Sequence, residues 1–248
     1  MQHRLAIAVL AFLLLDSATA QAQRPKFGFG IGAGAVLGSQ LVEHELDIDL
    51  DGQTLSASRE VNLEDVAVLS ANAEWYVISH VALRLHGAWG AGRLQIVTDR
   101  EVDGEESAAE FESDFGDVQV TALDAGVSLW PWAPGTVGFA PFITFGIGSF
   151  AYDFDADTDD GLFHADGRRS ERAWLLGIGA DLHVWRSITL RVEAIDHIVD
   201  SPLEASDFDA AVGPVAARDS GDTVNNVRLT IGAHVYLPFR SYSLPSGP

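Results

Sequence analysis

NVRLTIGAHVYLPF, residues 226–239, alternates without a break. Val227, Leu229, Ile231, Ala233, Val235 and Leu237 fall on one side, and Arg228, Thr230, Gly232 and His234 on the other. Side chains of an extended chain point to opposite faces in turn, so this is a strand with one apolar and one polar face. Seven more segments carry the same period: 27–38, 66–77, 81–92, 118–129, 139–152, 173–184 and 188–195. In the sixth of these, Trp174, Leu176, Ile178, Leu182 and Val184 oppose Gly177, Gly179, Asp181 and His183. The polar side elsewhere carries Glu74, Arg84, His86, Asp124, Arg191 and Glu193, and no helical period competes.

The eight segments are joined by links that alternate in length. Ile78-Ser79-His80, 131–138 and Trp185-Arg186-Ser187 are short; 39–65, 93–117, 153–172 and 196–225 are long. The long links hold 8, 9, 7 and 7 acidic residues, or 31 of the chain's 36. Short turns at one end and long polar loops at the other predict an all-β fold, an eight-stranded antiparallel up-and-down barrel that spans a membrane. Asp51-Gly52 and Asp103-Gly104 are hairpin dipeptides inside long links, so the loops read as strand extensions above the membrane.

A soluble eight-stranded barrel would turn its apolar face inward instead. Against that, the charges on the strands are few and nearly balanced, no strand carries a lysine, and glycine dominates the polar face. Trp75, Tyr76, Trp130, Trp132, Trp185, Tyr236 and Phe239 lie near the short-turn end, and Trp89, Phe150, Tyr152 and Trp174 near the loops. Two such aromatic belts suit the two membrane interfaces, so the apolar face is expected outside.

Composition narrows the partners. Lys+Arg number 15 against 36 Asp+Glu, a net charge of −21, and Lys26 is the one lysine. A chain this acidic repels phosphate backbones, which argues against nucleic acid. There is no cysteine, so disulfides, thiolate metal sites and a lipid-anchoring cysteine are absent. Arg4, the apolar run Leu5–Leu15 and Ala20-Gln21-Ala22 make a secretory signal peptide over residues 1–22, too short to span as a helix of ~20 residues. The barrel is expected over 23–239 and a tail over 240–248, in an exported chain that enters its membrane as strands.

At these residues the chain resembles the eight-stranded outer-membrane β-barrels: the OmpA-like transmembrane domain and the OmpW and OmpX groups. The likeness covers Phe27–Phe239. Ala233, Val235, Leu237 and Phe239 are similar to that family's C-terminal assembly signal, which implies the barrel-assembly machinery as a partner. Glu74, Arg84, Asp124, Arg191 and Glu193 look like its lumenal salt-bridge network. The family's signal ordinarily ends the chain, whereas Arg240–Pro248 continues here. With no peptidoglycan-binding domain after the barrel, the family's tethering role is not carried over.

The candidate site is the lumen charge network of Glu74, Arg84, Asp124, Asp181, Arg191, Glu193 and Arg228. Two readings stay open, a plug of paired charges, which is the expectation, and a narrow polar path. His86, His183 and His234 share that face, but no two sit at a metal-ligand spacing. Asp47–Gly52 opens like a calcium loop, yet Ser58 stands where a bidentate glutamate belongs. Asp153, Asp155, Asp157 and Asp159 are weak cation candidates, with Asp160 in the place of the required glycine. Ser149, Ser170 and His164 near the outer rim are what a lipid-A-modifying enzyme would need, but nothing specifies a nucleophile and its base.

The sequence therefore predicts a non-enzymatic, cofactor-free outer-membrane barrel, monomeric, with a structural or surface-interaction role. Outer-membrane lipid and lipopolysaccharide are its expected surroundings, with divalent cations at the acidic loops. Passage of small solutes through the lumen, or of apolar molecules by a lateral route as the OmpW likeness implies, is the alternative. Lipid-A modification comes third.

Overall fold

The computed structural model describes residues 26–50, 53–102, 105–134, 137–157, 163–185, 187–203, 207 and 223–237. Ten strands follow one another: β1 (Phe27–Val36), β2 (Ser39–Leu50), β3 (Gln53–Leu63), β4 (Val66–Ile78), β5 (Val81–Val102), β6 (Glu105–Leu129), β7 (Phe139–Asp157), β8 (His164–Trp185), β9 (Ile188–Asp200) and β10 (Thr223–Leu237). The signal peptide and the tail expected from sequence lie outside the described residues.

Eight of the ten close a ring. β4 through β10 pair in sequence order, and β1 pairs with β4 on one side and β10 on the other. Every pairing is antiparallel. β2 and β3 are the first long link: they pair with each other, and β3 continues along the upper half of β5. Two residues separate Leu50 from its partner Gln53, and two separate Val102 from Glu105. β5 to β8 run 22, 25, 19 and 22 residues, about twice the 9–11 that cross a bilayer, so the sheet rises well above the membrane.

The apolar face is outside. Ile31, Leu69, Leu85, Leu123, Phe145, Ile178 and Ile231 are exposed, while Glu74, Arg84, His86, Asp124, Asp181, Arg191, Glu193 and Arg228 are buried in the lumen. A soluble barrel would have the reverse, because water rather than lipid would meet the outer side chains. β1 leaves room for this interior with glycines: a Cβ on Gly28 would collide with His234, and one on Gly34 with the Leu229 carbonyl.

Towards the loop end the polarity reverses. Along β6 the outward series passes from Leu123 to Thr121, Gln119 and Asp117, while the inward series passes from Asp124 to Ala122, Val120 and Val118. In β5, Trp89 gives way outside to Arg93, and His86 gives way inside to Ala88, Leu94 and Ile96. In β8, Ile178, Leu176 and Trp174 are followed outside by Arg172, Ser170 and Arg168. The switch marks where lipid ends and water begins, since each medium dictates the face it touches.

The aromatic belts need a correction. Trp75, Trp132 and Trp185 at the turn end and Trp89 and Trp174 at the loop end do face outward. Tyr76, Trp130, Tyr236, Phe150 and Tyr152 are buried inside instead. Their place along the strand fits an interface, but their parity puts them on the inward face. Phe239 lies outside the described residues.

Candidate functional site

The lumen is filled in three tiers. At the turn end, Tyr76, Ala82, Trp130, Ala140, Phe142 and Tyr236 form an aromatic floor. Ring centroids are 5.5 Å apart for Tyr76–Trp130, 5.3 Å for Trp130–Phe142 and 5.8 Å for Tyr76–Tyr236. The polar tips of these rings point up at carboxylates. Tyr76 Oη donates to Glu74 Oε2 at 2.6 Å, Tyr236 Oη to Asp181 Oδ2 at 2.7 Å, and Trp130 Nε1 to Asp181 Oδ2 at 3.3 Å.

The middle tier holds all seven charges expected from sequence. Arg191 grips two carboxylates at once. Nε and Nη2 donate to Asp181 at 2.8 and 3.1 Å, and Nη1 and Nη2 to Glu74 at 2.5 and 3.2 Å. Its guanidinium also lies 4.8 Å from the Phe142 ring centroid. Arg84 binds Glu193 through both terminal nitrogens. Forked pairs of this kind satisfy several buried donors and acceptors together, which is what a charge away from water requires. His234 Nε2 stands 3.2 Å from Glu74.

Arg228 is held differently. Its terminal nitrogens stand 3.9 Å from Asp124 and from Glu193, and none of its three nitrogens makes a hydrogen bond among the described residues. Asp124 Oδ2 is instead approached by His197 Nε2 at 3.0 Å and His86 Nδ1 at 3.3 Å. His197 was not among the residues singled out from sequence. Its parity matches Thr189, Arg191 and Glu193, but the period had been followed only to Ile195, and β9 runs on to Asp200. The histidines do not assemble a metal site: among the described residues no group of three His, Asp or Glu does so.

The third tier is apolar. Val36, Val68, Leu94, Val120, Phe150, Phe154 and Phe163 belong to one buried cluster above the charges. Asn226 Nδ2 donates to Tyr152 Oη within it at 2.8 Å. Near its top, Arg169 Nη1 and Nη2 each lie 2.5 Å from Asp207, and Nη1 also donates to the Pro202 carbonyl at 2.9 Å. Two small voids lie among the described residues of the interior. A void of about 10 Å³ lies beside Ser70, Asn72, Thr230 and Arg191, and the one between Phe150, Ala88 and Arg228 holds none. A concavity of about 1180 Å³ opens on the outer face among Ile143, Ile178, Val192, Leu229 and Ile231.

The remaining candidates lie apart from the lumen. Asp153 and Asp155 are exposed on the outward face of β7; the Asp157 side chain and Asp159 lie outside the described residues. Asp47 and Asp49 pair within the β2–β3 hairpin, opposite Ser56 and Thr54. Ser149 Oγ and Ser170 Oγ meet at 2.6 Å on the outer rim, but His164 is six residues further along β8, roughly 20 Å away. Ala233, Val235 and Leu237 follow one another on the outward face of β10.

Comparison with known proteins agrees with this architecture. The family described as outer membrane protein β-barrel domain matches residues 8–234. OprG, an outer membrane protein of Pseudomonas aeruginosa, superposes with a TM-score of 0.51 at 13% identity, over 86% of this chain and 97% of that one. The outer membrane protease OmpT of Escherichia coli gives 0.52 at 11% identity, over 89% and 99%. Ail, the attachment invasion locus protein of Yersinia pestis, gives 0.43 at 11%, over 87% and 100%. No curated protein matches the sequence.

Proposed function

From the premise that this chain belongs to the outer membrane protein β-barrel family, a protein of the cell outer membrane, we propose that it acts as a closed structural barrel presenting an acidic surface outside the cell. The observation that carries this reading is the continuous filling of the lumen by the aromatic floor, the ion-paired tier and the apolar core. Ions crossing it would have to separate Arg191 from two carboxylates that it binds through four hydrogen bonds. The interior voids beside Arg191 and Arg228, of about 10 Å³ or less, cannot seat a file of water, since one molecule needs ~10–15 Å³. The exposed acids above the membrane, Asp153, Asp155 and Asp166 among them, would recruit divalent cations and through them neighbouring lipopolysaccharide.

Planar-bilayer conductance of the folded mature chain tests this. Silence from protein whose closure is verified by a cold-versus-boiled gel shift is the expected result. Discrete steps that change on Arg191→Ala would overturn it in favour of the channel. A second reading, lateral passage of apolar molecules, draws on the apolar upper interior. It predicts uptake of a hydrophobic dye into liposomes that bulky substitutions at Ala88 and Ala122 would block.

A further inference from the structure

We propose that two copies of this chain pair side by side in the membrane through the outer wall of β9 and β10, Asp196 of each accepting a hydrogen bond from Asn225 of the other. Asp196 stands in unusual surroundings. Its register partners are Leu176 on β8 and Val227 on β10, and residues directly opposite across a ladder point to the same face, here the outward one. Ala194 and Ile198 are the outward positions before and after it on β9. Leu176 is exposed, and so is Trp174, the register partner of Ile198. The carboxyl is thus ringed by apolar side chains within the lipid-facing band, where an acid lacks water to hydrate it. The wall supplies no donor either: Oδ1 is covered and makes no hydrogen bond among the described residues.

Lipid tails bring no donor to that depth, so the group that satisfies the carboxyl comes from another membrane-embedded chain. A second copy carries one. Asn225 is exposed on the outward face of β10, opposite Ile198 and therefore diagonal to Asp196. A twofold axis along the membrane normal sets each Asn225 against the other copy's Asp196, so one operation satisfies both pairs. Amide side chains hydrogen-bond across contacts within membranes, and small outward residues let the walls approach. Ala194, Leu229 and Ile178, the next outward residues toward the turn end, line the concavity of about 1180 Å³ together with Ala33 and Ala180. That hollow lets a second convex wall seat over more than a line of contact. The strands also end early here. β9 and β10 run 13 and 15 residues against 19 to 25 for β5 to β8, so the walls meet where the acidic sheet stands lowest.

The test uses the folded mature barrel in liposomes, with energy transfer between donor- and acceptor-labelled copies followed as lipid is added. The unmodified protein should dissociate from dimer to monomer on dilution, and Asp196→Leu or Asn225→Leu should raise the dissociation constant roughly tenfold. The exchange Asp196→Asn/Asn225→Asp should restore pairing, because each wall keeps one acceptor and one donor. The chain has no cysteine, so Val227→Cys reports proximity: oxidation should link it into dimers, while Leu85→Cys, exposed on β5, should stay monomeric. A cold-versus-boiled gel shift verifies closure of every variant. Single copies at every dilution, an Asp196→Leu dimer as tight as the original, no rescue by the exchange, or equal linking through Leu85→Cys overturns the proposal. A carboxyl that serves a different outer-membrane protein gives the first of these results. None of these readouts depends on whether the lumen conducts.

Discussion

Arg191 of β9 reaches Glu74 of β4 across the lumen, Nη1 to Oε1 at 2.5 Å, with β1 and β10 lying between their strands. The pair braces the barrel from wall to wall instead of linking neighbouring strands. Arg191→Met strands Glu74 and Asp181 as buried charges, and breaking one partner of such a set costs about 3–5 kcal/mol. Urea unfolding from liposomes should record a loss of that size, and the cold-versus-boiled gel transition should move to lower temperature.

Arg228 offers the contrast. Its guanidinium is buried, makes no hydrogen bond among the described residues and stands 3.9 Å from its two carboxylates, which keep Arg84, His86 and His197 as partners. Arg228→Met should therefore cost under ~1 kcal/mol in the same assay, because the desolvation it relieves offsets the weak attraction it loses. A loss as large as that of Arg191→Met would show that Arg228 is a principal brace.

The reversal of polarity along the strands predicts a depth-dependent tolerance. Ile143 is exposed midway along the apolar band of β7, so Ile143→Arg should destabilise the folded barrel by about 2–4 kcal/mol. Gln119→Arg, outward on β6 but above the band, should change stability little. Folding into liposomes followed by tryptophan fluorescence distinguishes the two.

Asp207 holds the chain after β9 against the barrel top through Arg169. Asp207→Ala should speed proteolytic cutting near residues 201–203 while moving the unfolding midpoint only slightly, since the contact sits at the upper edge of the apolar tier. Limited proteolysis on intact vesicles reads the first effect and urea unfolding the second.

The eight ring strands and the choice of outward face were legible because alternation over ten residues is a strong local signal. The seven lumenal charges were legible by parity alone. Their partners were not: Arg191 with Glu74, and Arg84 with Glu193, are set by barrel diameter and strand tilt, which no stretch of sequence carries. The apolar third tier was also missed, although its trace is visible. In β6 the apolar residues move from odd positions, Leu123 and Val127, to even ones, Val118, Val120 and Ala122, a half-period slip that reading one face per strand conceals. Trp130 and Tyr236 were placed in a belt because distance from a turn was weighed without parity.

The reversal at Ala122 and Leu123 also divides the molecule by the origin of its cohesion. Lipid tails are as apolar as leucine, so within the bilayer packing hydrocarbon inward gains no hydrophobic driving force, and polar pairing is what remains to hold the walls together. Above the bilayer water returns, and Val118, Val120, Leu94 and Phe154 gather as they would in any soluble domain. The two storeys should consequently answer differently to cooling: the upper one, with its large heat capacity of hydration, loosens, while the lower one, bound by charge, is left largely indifferent.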